Sequence, residues 1–135
     1  MIKYLINTPY GCDIIYKDKV VSSTRNNLSI IKSYCLKELF TYEGYIKAIK
    51  SLFGDVQLIP VVINSSNIFI PTKRVRDYDN IWINIGAVIL IEDENNQTNL
   101  TFKDYKKLTI NIKYQKFIKR VEFSKIILDY KNKLK

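Results

Sequence analysis

Residues 70–84 read IPTKRVRDYDNIWIN. An apolar, isoleucine-rich run ends at Pro71, three cations follow at Lys73, Arg74 and Arg76, and the chain's one tryptophan, Trp82, lies in the next apolar run. The β-branched residues on either side favour strands. Pro-Thr followed by Asp and Asn supplies turn chemistry between them. The stretch therefore predicts strand, basic loop, strand. Surface pairing of Arg74 and Arg76 with Asp77 and Asp79 would contribute at most about 1 kcal/mol each. The charge on the loop is better explained by an external contact.

Upstream, alternation at Ile2, Tyr4 and Ile6, then at Ile14 and Tyr16, predicts two strands joined by a turn at Pro9-Tyr10-Gly11-Cys12. A further turn at Lys17-Asp18-Lys19 leads into Val20 and Val21. The period then becomes helical. Leu28, Ile31, Cys35 and Leu39 share one face behind a cap at Asn26 or Asn27. Thr41 can cap a second helix striped by Ile46, Ile49, Leu52 and Phe53, with Gly54 as its stop. Gly44 weakens the first turn of that helix or marks a close backbone approach. Residues 56–63 and 68–70 read as strands around a turn, and 81–91 as one long strand.

Downstream, residues 100–102 and 108–112 form an expected hairpin whose tip carries Lys103, Lys106 and Lys107. The last segment returns to helical spacing with two apolar stripes, one of Tyr114, Phe117, Ile118 and Val121, the other of Phe123, Ile127, Tyr130 and Leu134. Two explanations stand. Either the helix breaks near Ser124, or Phe123, Ile127 and Tyr130 face a partner subunit as an oligomer interface.

At 135 residues, 47% of them hydrophobic and 26% charged, the chain fits one domain with one core. Disorder is expected only at the last few residues and in the acidic, Asn-rich stretch 92–96. The chain has no histidine, and its two cysteines, Cys12 and Cys35, are far apart, which argues against a zinc site and against thiol or imidazole catalysis. Asp77 with Asp79, and Glu92 with Asp93 and Glu94, read as solvated loop acids rather than as a metal-dependent nuclease site. No phosphate-cradling glycine loop occurs. No apolar run is long enough to span a bilayer, so a cytoplasmic, nucleoid-associated protein is expected, with no cofactor, no metal, no enzymatic activity and no membrane partner.

The net charge of +9 is lopsided. Residues 101–135 hold 11 Lys/Arg against 3 Asp/Glu, so +8 of the excess lies there. A clustered positive field concentrates polyanions. The candidate contacts are Lys73, Arg74 and Arg76 on a mobile loop, Lys103, Lys106 and Lys107 on the hairpin tip, and Lys113, Lys116, Lys119 and Arg120 on the last helical region. Lysines of this kind would grip phosphates without reading sequence, whereas the loop arginines could enter a narrow minor groove.

Four segments together resemble the bacterial competence transcription factor family ComK: SIIKSYCLKELFTYEGY, LIPVVINSSNIFIPT, the tryptophan in IWIN, and TNLTFKDYKKLTINIKYQKF. The order and spacing of Cys35, Tyr42, Gly44, Pro60, Pro71, Thr72, Trp82, Phe102, Tyr114 and Phe117 carry the resemblance. The sequence departs from the family pattern at residues 83–88 and at Tyr45. The resemblance implies a transcriptional activator that binds double-stranded DNA at A/T-rich boxes through the minor groove, as a homo-oligomer on paired half-sites, with a regulatory adaptor protein as a further partner. The expected fold is α+β over residues 1–135: a mainly antiparallel sheet, two helices from the N-terminal half and a basic C-terminal helical region. The rival reading is a non-catalytic regulatory or protein-interaction module of the same fold that has lost DNA binding.

Overall fold

In the computed structural model, which describes residues 1–133, the N-terminal alternation becomes strands β1 (Ile2–Thr8) and β2 (Gly11–Tyr16), paired antiparallel with Thr8 opposite Gly11. Gly11 has φ +152 and lies so close to the Ser23 carbonyl that a Cβ would collide with it. Only glycine fits where β3 (Val20–Ser23) joins the far edge of β2. Helix α1 (Asn27–Lys37) follows, capped by Asn26, whose side chain accepts the Ser29 N–H at 2.9 Å. Leu28, Ile31 and Cys35 are buried as the stripe predicts, but Leu39 lies beyond the helix at φ 68 and is 95% exposed.

Thr41 caps α2 (Tyr42–Phe53) by accepting the Gly44 N–H at 3.0 Å, and Gly54 ends it at φ 93. The close neighbour of Gly44 is the Thr41 hydroxyl rather than another backbone. Ile49 is buried and Ile46 and Phe53 are half-buried, whereas Leu52 points to solvent. The strand expected from residue 56 starts later, as β4 (Val61–Asn64). Leu58, at φ 53, interrupts the extended backbone before it, and the Tyr45 hydroxyl holds the strand's start by donating to the Pro60 carbonyl at 2.6 Å and accepting the Val62 N–H at 3.1 Å. Backbone groups that a strand partner would take are met by a side chain from α2.

The next strand, β5 (Asn67–Pro71), pairs with β4 and with β6 (Ile81–Asn84), giving a six-stranded antiparallel sheet in the order β3-β2-β1-β6-β5-β4. The single strand expected over 81–91 is broken here, because Asn84 turns the chain. Its buried amide accepts the Ile68 and Gly86 N–H groups at 3.0 and 3.1 Å and donates to the Ile2 carbonyl at 2.8 Å. A 3-10 turn (Ile85–Ala87) then sends the chain into a second, three-stranded sheet of β7 (Val88–Glu94), β8 (Gln97–Phe102) and β9 (Lys107–Ile110). The acidic stretch 92–96 is therefore paired strand and turn rather than disordered: Asp93 faces Thr98, and Asn95 and Asn96 take the two left-handed positions of a two-residue hairpin.

The last element is one unbroken helix, α3 (Tyr114–Lys133). Ser124 does not cap a second segment; it is buried mid-helix and its hydroxyl donates to the Val121 carbonyl at 2.6 Å. Phe117, Val121, Ser124 and Ile127 form the buried stripe. Part of the second apolar stripe packs against the chain itself. Phe123 and Tyr130 meet the Phe53 ring of α2 edge-on, with centroids 5.4 and 5.9 Å apart, and Ile127 is 1% exposed beside Ile49, Val62 and Ile68. Of the residues expected at an oligomer interface, Ile127 is taken up by the core and Phe123 is half-buried against α2, whereas Tyr130 touches Phe53 but remains 38% exposed. Leu134 lies outside the described residues.

The six-stranded sheet is covered on both faces. Leu5, Phe69 and Trp82 face α1 in one cluster, whereas Tyr4, Ile70 and Ile83 face the small sheet and Phe117 of α3 in another. The architecture is α+β, as the sequence predicts.

Candidate nucleic-acid interface

The basic loop between β5 and β6 is a built corner rather than a mobile arm. Asn80, fully buried, accepts the Thr72 and Lys73 N–H groups at 3.0 Å each, while the Thr72 hydroxyl accepts the Ile81 N–H at 3.0 Å. The Asn80 carbonyl in turn accepts from the Asn27 amide at 2.7 Å, and the Asn7 amide donates to the Tyr78 carbonyl at 3.0 Å. Asparagines from β1 and α1 bolt the loop to the body of the protein. Held at both ends by these bonds, the loop presents its side chains from a fixed frame.

On that frame the cations converge with those of α3. Lys73 and Arg74 from the loop, and Lys113, Lys116 and Arg120 from the start of α3, line one cleft of about 470 Å³ in which Asp77 is the single lining acid. Two further clefts continue it. On one side Arg74 and Arg76 join Lys50 of α2, and on the other Lys113 and Lys116 join Lys119. The three share residues, so the cations form a continuous track. Helix α3 opens on it with no acid in its first turn, so the positive end of its dipole adds to the lysines.

The cations are not equivalent. Arg120 is half-buried and donates to the Pro71 carbonyl at 2.7 Å. Burial lowers its pKa, yet a guanidinium keeps its charge in proteins. Lys73 donates to the Asn111 carbonyl at 3.0 Å. Arg74 is 83% exposed and lies 3.2 Å from Asp77, a pair too exposed to hold it firmly. Arg76, Lys113, Lys116 and Lys119 are exposed and carry no ion pair among the described residues.

Lys103, Lys106 and Lys107 lie at the opposite end of β9 from Lys113 and do not line the track. The exposed side of the strand links the two groups, because Lys107, Thr109, Asn111 and Lys113 alternate outward over at most about 20 Å. The tip is anchored from below. Asp104 lies 3.0 Å from the ammonium of Lys3 on β1, the two side chains being 5% and 9% exposed, and it accepts the Lys106 N–H at 3.1 Å. Lys3 also sits 4.9 Å from the centroid of the Phe102 ring. Desolvation opposes ionisation of Asp104, but the hydrogen bonds from Lys3 and Lys106 and their charges prevail and hold its carboxyl below the usual range.

Among the described residues no three of the cysteines and acids are grouped to hold a metal ion. Asp77 lies beside Arg74, and Glu92, Asp93 and Glu94 are strung along β7. Cys12 and Cys35 are buried in one cluster, and burial pushes the Cys35 thiol up to about 11, away from reactive thiolate. Among the described residues no helix is long and apolar enough to cross a membrane.

Sequence reasoning does not reach Lys50, Lys3 or the asparagines Asn7, Asn80 and Asn84, and it reads Asn27 only as a candidate cap, whereas its side chain binds the Asn80 carbonyl. For Asn80 and Asn84 a signal exists: they bracket the apolar Ile81-Trp82-Ile83, where a strand interior has no local use for an amide. The family model described as ComK protein matches residues 2–133. Comparison with curated proteins and with solved structures gives no match.

Proposed function

The chain belongs to the ComK protein family, which consists of competence transcription factors and not enzymes, and from that premise we propose that it grips double-stranded DNA along the track running from Lys50 and Arg76 through Lys73 and Arg74 to Lys113, Lys116 and Lys119. The observation that carries the reading is the convergence of loop and helix cations in one cleft whose lining contains one acid. Each phosphate neutralised releases counterions, so six or so contacts would give a steep dependence of affinity on salt. The lysines supply the grip. Arg74 and Arg76, standing out from a fixed loop, read an A/T-rich minor groove by its width and deeper negative potential.

Lys103, Lys106 and Lys107 extend the contact from the far end of β9, and Arg120 serves as a strut that places the helix against the loop. Binding as a homo-oligomer on paired half-sites, control by an adaptor protein and action in the cytoplasm complete the reading. The test compares duplexes. Arg74→Ala combined with Arg76→Ala should weaken binding to an A/T-rich duplex more than to a G/C-rich one, measured by fluorescence anisotropy. Equal losses on both would remove the minor-groove role.

A further inference from the structure

The three-stranded sheet has two tight turns, and they differ in a telling way. Between β7 and β8 the left-handed positions belong to Asn95 and Asn96, at φ 52 and 64. Asparagine suits that region because its short side chain tolerates it. Between β8 and β9 the left-handed position, φ 66, belongs to Tyr105, a bulky residue that ordinarily avoids it. The tyrosine gains no packing there, since it is 80% exposed. The tip around it is nonetheless firmly made. The Tyr105 N–H donates to the Phe102 carbonyl at 2.8 Å, the Phe102 N–H to the Lys106 carbonyl at 2.9 Å, and the Lys103 N–H to the Ala87 carbonyl at 2.9 Å. Beneath it, Asp104 is fixed by Lys3. An aromatic ring is thus held out into water on a rigid tip, flanked by exposed Lys103, Lys106 and Lys107.

We propose that Tyr105 is a wedge that enters the minor groove of duplex DNA and lies against sugars or a partly opened base step, while the three lysines take the flanking phosphates. This inference rests on the DNA-binding reading above. An aromatic edge fits a groove about 6 Å wide, and apolar wedges set among cations are the usual means by which proteins open that groove. Asparagine or glycine would relax the strained turn but could not make the contact.

The test uses the full chain, a labelled duplex and thermal melting of each variant. Tyr105→Phe should bind within twofold of the unsubstituted protein. Tyr105→Asn should relax the turn, melt at the same or a higher temperature, and bind about five- to tenfold more weakly with an unchanged salt slope, because stacking and not a phosphate contact is lost. Undiminished binding by Tyr105→Asn would overturn the wedge while leaving the basic track intact. Weaker binding accompanied by a lower melting temperature would overturn it too, since the ring would then be structural. Failure of the unsubstituted protein to bind any duplex at low salt would instead remove the DNA reading, and the wedge with it.

Discussion

The guanidinium of Arg120 donates to the carbonyl of Pro71 across 2.7 Å, joining the C-terminal helix to the strand end from which the basic loop departs. Arg120 lines the same cleft as Lys73 and Lys116. A hydrogen bond from a charged donor contributes about 1.5–3 kcal/mol. Arg120→Ala should therefore destabilise the fold by roughly 2 kcal/mol in chemical denaturation and also weaken duplex binding by the folded protein. Lys116→Gln should weaken binding with the denaturation midpoint unchanged. Full binding by folded Arg120→Ala would show that the strut does not shape the interface.

The Lys3–Asp104 pair makes stability depend on acid. The folded-state pKa of Asp104 is depressed, so its contribution is fully present above the unfolded value of about 3.9 and is lost as pH falls through the folded value. Melting temperature should drop below about pH 4 more steeply in the unsubstituted protein than in Asp104→Asn. At neutral pH, Asp104→Asn leaves the buried Lys3 ammonium without its counter-ion and should cost about 3 kcal/mol. Identical acid profiles for the two proteins would remove the pair from the stability account.

Ile127 belongs to the core where α2, α3 and β4 meet. Ile127→Ala should cost about 2–5 kcal/mol, and Ile127→Glu should give an unfolded chain, read by loss of the cooperative melting transition. A folded Ile127→Glu monomer obtained from a natively oligomeric protein would return this residue to a subunit interface.

Helix ends were the most legible part of the fold in the sequence, because caps are local chemistry: Asn26, Thr41 and Gly54 act where their residue types point. The misplaced boundaries have distant causes. Asn84 splits the run 81–91 through partners 16 and 82 positions away, at Ile68 and Ile2. The start of β4 is held by Tyr45 of α2, 15 positions from Pro60. The second apolar side of α3 reads as unpartnered because nothing local reveals that Phe53 of α2 packs against Phe123 and Tyr130. The site divides in the same way. Its cations can be read singly, but the meeting of Arg74 with Lys116, the inclusion of Lys50 and the anchoring of the tip by Lys3 are tertiary facts.

The most direct test of the DNA-binding track is the salt dependence of duplex binding for the unsubstituted protein and for a variant carrying Arg74→Ala, Lys113→Gln and Lys116→Gln. All three side chains are exposed, so both proteins should fold and melt alike. If the track lies on phosphates, the variant binds more weakly at every salt concentration and its log–log slope is shallower by about 2.7, three contacts at roughly 0.9 each. Equal affinity and equal slope for the two proteins would contradict it.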